Sequence, residues 1–124
     1  MNDRYLYRAK RTDNEEFIEG LLTIMWGQLH IINPDDENTA YPIDESTICQ
    51  CTGLKDKHGK MIWENEIIKC KCGIAVVVWD KSEWRIKWVK DNIWRKDLHY
   101  WVVEDNQRTE VIGNIFDNPE LLEV

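Results

Sequence analysis

The stretch that decides the fold is Glu83-Trp84-Arg85-Ile86-Lys87-Trp88. Apolar and charged residues alternate in it, so that Ile86 and the two indoles share one face while Arg85 and Lys87 share the other. Alternation with a period of two is typical of a strand with one buried face. We therefore predict a strand here, with its indoles in a core and its cations in solvent.

Similar patterns on either side predict further strands. Ile68, Cys70 and Cys72 alternate with lysines, residues 74–79 form a β-branched run suited to a strand covered on both faces, and Tyr100–Val103 and Val111–Phe116 follow. Polar turns separate these runs, at residues 56–60 with Gly59 at a hairpin tip and at residues 80–82. Short strands at this spacing predict a small barrel over about residues 50–116. Its core, or a contact between subunits, is expected to include Trp63, Trp79, Trp84, Ile86 and Trp88.

The chain is expected to be mainly β, with two parts. Residues 1–48 would form an N-terminal β-rich part, and residues 49–124 a small barrel with a closing tail. The stretch 33–46 is the candidate boundary between them. In the tail, Asp117 or Asn118 could cap a final helical turn that begins at Pro119.

Composition limits the compartment and the class of protein. With 124 residues, 43% of them apolar, the chain can bury one core, and no window approaches the twenty apolar residues of a membrane span. The N-terminus is charged and lacks the apolar stretch of a signal peptide. We therefore expect a cytoplasmic protein whose four cysteines are free thiols.

The cysteines form two pairs, Cys49/Cys51 and Cys70/Cys72. Four sulfurs on neighbouring antiparallel strands could make a tetrahedral zinc site. Zinc sites favour Cys-x2–4-Cys turns, however, whereas a strand spreads the sulfurs of Cys-x-Cys by roughly 6–7 Å. The alternative is that these cysteines fill a core as small apolar residues, and we predict that the protein binds no metal.

No arrangement of residues predicts catalysis. His30, His58 and His99 have no neighbour at a spacing that indicates a triad, a metal pair or a general base, and there is no Gly-rich phosphate loop. The carboxylates lie in turn-like stretches and are typical of solvated surface. We expect no enzyme activity, no cofactor and no small-molecule substrate.

Charge is unevenly distributed around a net −7. Residues 13–68 carry −9 and residues 69–96 carry +5. The basic, Trp-rich stretch 84–96 has the composition of single-strand nucleic-acid platforms. Alternation nevertheless places Trp84 and Trp88 opposite the cations, whereas Trp94, with Arg95 and Lys96, lies outside it and could be exposed. Nucleic-acid binding therefore stays the alternative to a core strand with a charged outer face.

Seven tryptophans are many for one small core. Trp26, Trp94 and Trp101 lie outside the clearest alternation and are our candidates for binding a protein partner or a second copy of the chain. The alternative is a monomer in which all seven indoles are internal.

Three segments together resemble the YopX family, small proteins encoded by phages and prophages of Gram-positive bacteria. They are an opening strand pair at residues 7–20, a central hairpin at residues 51–68 with Thr52-Gly53-Leu54-Lys55-Asp56 and Gly59-Lys60, and a closing segment at residues 111–122. The resemblance implies a C-terminal SH3-like barrel, an N-terminal β-rich part, the host bacterial cytosol and no transferable catalytic residue. The sequence departs from the family pattern at Cys51, His58 and Asn65-Glu66. Asn65 replaces a glycine, which is tolerable in a left-handed backbone.

Overall fold

The computed structural model describes residues 6–33, 35, 39–90, 92–104 and 108–123, so parts of the expected 33–46 boundary lie outside the described residues. Ten strands are seen in this part of the chain: β1 Tyr7–Lys10, β2 Phe17–Met25, β3 Gln28–Ile32, β4 Ala40–Pro42, β5 Cys49–Lys55, β6 Met61–Trp63, β7 Glu66–Cys70, β8 Gly73–Asp80, β9 Glu83–Trp88 and β10 Glu110–Asn114. Two 3-10 helices, Glu45–Thr47 and Pro119–Leu122, and a π-helical turn, Tyr100–Glu104, complete it. The mainly β fold class is confirmed.

The chain divides into two compact units, Met1–Cys51 and Thr52–Val124, and β5 runs through the division. The proposed domains 1–48 and 49–124 stay a prediction. No helix among the described residues is long and apolar enough to cross a membrane.

The first unit is an antiparallel sheet in the order β4-β3-β2-β1, with the first residues of β5 beside β1. Its core is small: Ala9, Ile31 and Ile43 are buried, and four partly buried residues pack on them, namely Ile18, Leu22, Leu29 and Ile48. β4 is only three residues long and ends in Pro42 at the edge of the sheet.

Gly20 lets two backbones approach closely in this unit. A Cβ built on it would collide with the carbonyl oxygen of Ile32, and would lie 2.8 Å from the carbonyl carbon of Ile32 and 2.9 Å from Cγ2 of Ile31. Two of these three atoms belong to backbone, which cannot rotate away. The site therefore requires glycine for space and not for an unusual φ angle.

The second unit contains the antiparallel sheet β10-β7-β8-β9 and the larger core. The alternation predicted for β9 is confirmed, because Ile86 and Trp88 are buried and Lys87 is exposed. The core consists of Ile62, Ile68, Cys70, Ala75, Val77, Ile86, Trp88, Leu98, Trp101 and Val102. The described strands form open sheets whose arrangement is compatible with an SH3-like barrel, and that finer assignment stays a prediction.

The turns of this unit lie where the sequence predicts them. Gly59 (φ +78°) lies in the β5–β6 turn, and Asn65 has the left-handed φ of +67° that its position required. The Asp80–Ser82 turn joins β8 to β9. Pro119 begins the last 3-10 helix, but the Asn118 side chain does not cap it; its Oδ1 accepts a hydrogen bond from the Asn114 N–H instead.

The strand predicted for Tyr100–Val103 is wrong: these residues begin a π-helical turn. Trp101 and Val102 are adjacent and both buried, whereas successive side chains of a strand point to opposite faces. With Leu98 they follow the i, i+3, i+4 spacing of a helical face. Burial of these three side chains in one core therefore overrides the β propensity of the two valines.

The placement of Cys72 on a strand with Cys70 is also wrong. β7 ends at Cys70, which pairs with Gly73, and Lys71-Cys72 form the two-residue turn into β8. The interpretation holds for Cys49 and Cys51, which are both buried on one side of β5. The run at residues 74–79 is covered on one face only, by burial of Ala75 and Val77.

Asp56 connects the β5–β6 hairpin to β10. Its Oδ1 accepts the backbone N–H groups of His58 and Lys60, both at 2.9 Å, and its Oδ2 accepts that of Val111 at 3.0 Å. The side chain is buried, and burial alone would raise the pKa of its carboxyl. The three N–H donors outweigh this effect and hold the pKa of Asp56 below its ordinary value.

We predict that Asp56→Asn lowers the free energy of unfolding by about 2 kcal/mol at pH 7, because the amide NH2 would face one of the three N–H donors. The folded pKa lies below the unfolded value of about 3.9, so this stabilisation is present above that pH and is lost as the pH falls through the folded pKa. Urea unfolding at several pH values measures it. Asp80→Asn, at an exposed turn, is the control. A difference from wild type that grows on acidification would contradict the assignment.

We predict that Gly20→Ala lowers the free energy of unfolding by about 3 kcal/mol, since the strands must separate to admit the methyl group. Gly27→Ala is the matched control: an added Cβ there meets nothing within 4 Å, and only its φ of +74° is unfavourable. We expect about 1 kcal/mol for that control. Equal losses in the two variants, measured by chemical denaturation, would show that close approach at Gly20 is not the cause.

Candidate interaction surfaces

The seven tryptophans separate into buried and exposed groups. Trp63, Trp88 and Trp101 are buried, and Trp84 is half-buried against the core. Trp26, Trp79 and Trp94 are exposed, with 89%, 53% and 52% of their surface accessible. The alternative in which all seven indoles are internal is therefore wrong.

Trp101 must be removed from the set of candidate partner-binding residues. Its indole packs edge-to-face on Trp88 and on Tyr100, with ring centroids 5.4 Å and 5.0 Å away. Its Nε1–H donates a hydrogen bond to the Arg95 carbonyl at 2.9 Å, so the polar atom is satisfied inside the core. Partner binding at Trp26 and Trp94 stays a prediction.

Trp26 lies in the two-residue turn between β2 and β3. We call residues 24–27 the hairpin tip. Both turn residues have positive φ, +53° at Trp26 and +74° at Gly27, as in the turns that suit the twist of a hairpin. The Trp26 ring meets the His30 ring edge-on at 6.3 Å, and Ile24, two residues before it, is 71% exposed. The hairpin tip therefore presents two large apolar side chains to solvent.

No formally charged residue occurs between Gly20 and Asn33, which is the length of chain that builds the hairpin. The protein as a whole has 31% charged residues, so this stretch is unusual within its own chain. The one titratable ring, His30, is buried and its Nδ1 lies 2.9 Å from the Gln28 carbonyl oxygen. The surface of the hairpin tip is thus apolar and electrically neutral.

A second surface lies on the β8–β9 hairpin, where a groove of about 590 Å³ is lined by apolar and basic residues. We call it the basic groove. Four cations line it, namely Lys81, Arg85, Lys87 and Lys96, against the single carboxylate of Asp80 in the lining. Arg85 and Lys87 stand beside Val78 and Val76 across the strand pair. Sequence reasoning found this basic stretch.

The exposure of Trp79 was missed. It was expected in a core or a subunit contact, yet it is half-exposed, on the face that it shares with Trp84 and that lies opposite to Arg85 and Lys87. Its ring meets Trp84 edge-to-face, with centroids 5.0 Å apart. The signal in the sequence was its place next to the Asp80 turn, because the last residues of a strand extend past the core that covers its middle.

Ion pairing decides which of the basic residues are available. The Arg95 guanidinium donates two hydrogen bonds to the Asp97 carboxylate, at 2.9 and 3.0 Å. Burial would raise the pKa of Asp97, but this hydrogen bond holds it below its ordinary value. Arg85 donates to Glu83. Lys81, Lys87 and Lys96 are exposed and form no ion pair among the described residues.

Trp94 lies in the described segment that begins at Asn92, after β9. Its backbone N–H donates to the Asn92 side-chain oxygen at 2.9 Å, a bond that orders this exposed turn. Ile93 beside it is 96% exposed. Trp94 and Lys96 are therefore presented on the same exposed segment.

The residues considered for chemistry are engaged in structural contacts or lie apart. Among the described residues, no group of three or more His, Cys, Asp or Glu side chains could hold a metal ion. Cys49 Sγ donates to the Thr47 carbonyl, and Cys70 Sγ accepts from the Thr109 hydroxyl at 3.7 Å. His58 Nε2 lies 3.3 Å from Glu110, and His99 is exposed. The absence of metal and of catalysis stays a prediction.

Comparison with known proteins identifies relatives. The model of the YopX protein family matches residues 6–123. The X-ray structure of protein yopX from Bacillus subtilis aligns with a TM-score of 0.59 and 21% identity, covering 99% of this chain and 100% of that one. A search of curated proteins found no match. At this identity the structural likeness shows the fold, while the family model covers nearly the whole chain, and the protein therefore belongs to the YopX family.

Proposed function

We propose that this protein is a non-catalytic, phage-type interaction module of the bacterial cytosol, which docks on another protein through the hairpin tip. One observation carries the proposal: Trp26 is 89% exposed although its backbone is left-handed. A left-handed backbone costs a bulky residue about 1–2 kcal/mol relative to glycine. Asn-Gly is the usual sequence of such a turn.

A strained and exposed tryptophan contributes very little to the stability of the fold. It buries almost none of its apolar surface in the first unit, and its ring has one edge-on contact, with His30. Local strain of this kind is characteristic of functional sites, where the surrounding structure holds it. Tryptophan is also the residue type most enriched among the binding hot spots of protein interfaces.

The absence of charge indicates what kind of partner fits. Interface cores are depleted of charged residues and enriched in aromatic residues and methionine, and the hairpin tip contains Met25 beside Trp26. Phosphate backbones and anionic headgroups need cations, which residues 20–33 lack. The partner surface is therefore neutral and apolar.

The surface area that a stable interface must bury favours a different protein as the partner over a second copy of the same hairpin tip. A buried tryptophan supplies roughly 150–250 Å², and stable interfaces bury about 800 Å² on each partner. Two convex tips meeting each other would fall short of that area, even with Ile24 included. A concave apolar cleft that encloses the hairpin satisfies it.

We predict that Trp26→Asn raises the free energy of unfolding by about 0.5–1 kcal/mol, because asparagine tolerates the left-handed backbone. Chemical denaturation at neutral pH measures this change. Trp94→Asn is the matched control, since Trp94 has no positive φ and should gain nothing. A Trp26→Asn protein less stable than wild type would mean that the indole serves the fold, and would contradict the proposal.

We predict that Trp26→Asn weakens partner binding about thirtyfold, as expected for a hot-spot tryptophan. Wild-type, Trp26→Asn and Trp94→Asn proteins are immobilised separately and incubated with host lysate. A lysate protein that binds wild type and Trp94→Asn but not Trp26→Asn is then purified. Its affinity is then measured by calorimetry between about 0.1 and 0.5 M salt, where a charge-free contact should change little.

Two outcomes would contradict docking through the hairpin tip. One is an equal set of retained proteins for wild type and Trp26→Asn. The other is a loss confined to Trp94→Asn, which would assign partner binding to the second unit. If wild type shows concentration-dependent sedimentation and Trp26→Asn does not, the hairpin tip binds a second copy of this chain and not a separate partner.

A further inference from the structure

The outer face of the second unit's sheet carries a row of aliphatic side chains on its strand β8. Ala75 and Val77 lie in the core, so Ile74, Val76 and Val78 point to the opposite face of the sheet. We call these three residues the β8 stripe. All three are only partly buried, and along the strand they extend over about 13 Å. The sheet therefore presents an apolar surface on the side away from its core.

Cations border the β8 stripe on both sides. Strand pairing places Lys69 of β7 beside Ile74. On β9, Lys87 lies beside Val76, and Arg85 lies beside the next residue of the stripe. Lys69 and Lys87 are exposed and form no ion pair among the described residues. A ligand that lies along the stripe therefore meets positive charge at both of its edges.

The basic groove continues the β8 stripe toward the β8–β9 turn. Val78 lines the groove together with Lys81, Lys87 and Lys96. The lining has four cations and one carboxylate, although the chain as a whole carries −7. A local excess of positive charge on an acidic protein attracts an anionic ligand. Charge complementarity thus selects an acidic ligand, and the apolar stripe beside the cations requires that it also carry aliphatic groups.

The C-terminal tail of the chain indicates what kind of segment fits this face. Leu121 and Ile74 line one cavity of about 420 Å³, and Leu122 and Val76 line a second cavity of about 260 Å³. Both leucines are half-buried, and a glutamate flanks the pair on each side. An acidic segment with two adjacent leucines therefore already borders one end of the β8 stripe, while the basic groove at the other end is open.

The outer face offers aliphatic side chains and no surface on which a base could stack. Trp79 and Trp84 pair with each other across β8 and β9 on the other side of the sheet, opposite to Lys87. Single-stranded nucleic acid needs aromatic rings on the same face as the cations. Leucine, isoleucine and valine side chains of a protein segment instead match the β8 stripe, since both surfaces are apolar. The ligand is therefore an acidic protein segment.

We propose that the β8 stripe and the basic groove together bind an acidic protein segment that carries closely spaced leucines or other large aliphatic residues. The aliphatic side chains of the segment pack on the stripe. Its carboxylates pair with Lys69 on one side and with Lys87 and Lys96 on the other. This surface belongs to the second unit and takes a charged partner, whereas the hairpin tip takes a neutral one.

The test is fluorescence anisotropy of a labelled peptide of three Glu-Leu-Leu-Glu repeats with the full-length protein at about 50 mM salt. Two comparison peptides separate charge from apolar contact. One has glutamine in place of every glutamate, and the other has serine in place of every leucine. Each should bind at least about tenfold more weakly, because the first lacks the carboxylates and the second lacks the apolar side chains.

Variants of the protein test the two halves of the surface. Lys87→Glu/Lys96→Glu should weaken binding about tenfold at about 50 mM salt and less at about 500 mM, because exposed charge contacts are screened by salt. Val76→Thr/Val78→Thr should weaken binding about tenfold at both salt concentrations, because the peptide would bury two hydroxyl groups that have no hydrogen-bond partner in it.

A matched control separates the surface from net charge. Lys55→Glu/Lys60→Glu makes the same change in charge at two exposed residues that lie outside the basic groove and away from the β8 stripe, and binding should stay within about twofold of wild type. Circular dichroism and thermal unfolding verify that each variant is folded. If the threonine variant does not fold, the surface lysine variants and the comparison peptides still decide between the outcomes.

Four results would overturn the proposal. The first is no binding at protein concentrations up to about 0.5 mM. The second is equal weakening in the two lysine variants. The third is equal affinity for the serine peptide or for oligothymidylate, which would mean that the cations attract any polyanion, nucleic acid included. The fourth is loss of peptide binding in Trp26→Asn, which would place the peptide at the hairpin tip.

Discussion

The buried carboxylate of Asp56 is the constraint on which the second unit depends. It accepts three backbone N–H groups, two from its own turn and one from Val111 of β10, a strand that follows more than fifty residues later. A buried N–H group without an acceptor costs more folding free energy than a typical hydrogen bond contributes. One side chain thus closes the β5–β6 turn and fixes where the last strand lies. The neighbouring hydrogen bond from Lys57 N–H to the Thr109 carbonyl strengthens the same connection.

Local patterns made much of this fold predictable from the sequence. The period-two alternation of β9 and the turn at Gly59 each depend on a few adjacent residues, and each is as expected. The left-handed Asn65 agrees with the glycine that the family resemblance implies at that position. The π-helical turn at Tyr100–Glu104 was not foreseen, because its cause is the burial of Leu98, Trp101 and Val102 in a core contributed by distant strands. Cys72 was misplaced for a related reason: alternation continues through Lys71, and only strand pairing shows that the chain turns there.

The candidate surfaces were predictable in composition but not in geometry. The sequence located Trp26 and the basic stretch, because unusual residue types can be recognised without knowledge of the fold. It could not assign exposure, because exposure depends on where the core ends. Trp79 extends past that end and Trp101 lies inside it, although both occur in apolar runs. The two units consequently present surfaces of different chemistry, one neutral and apolar, the other cationic.

The short edge strand β4 has a consequence for the behaviour of the protein at high concentration. An exposed sheet edge offers unpaired backbone groups to any other chain, and long apolar edges lead to fibres. β4 offers three residues, and the last of them, Pro42, has no N–H to donate. Its carbonyl already accepts the Thr12 N–H, so this edge leaves an incoming strand few backbone groups to pair with.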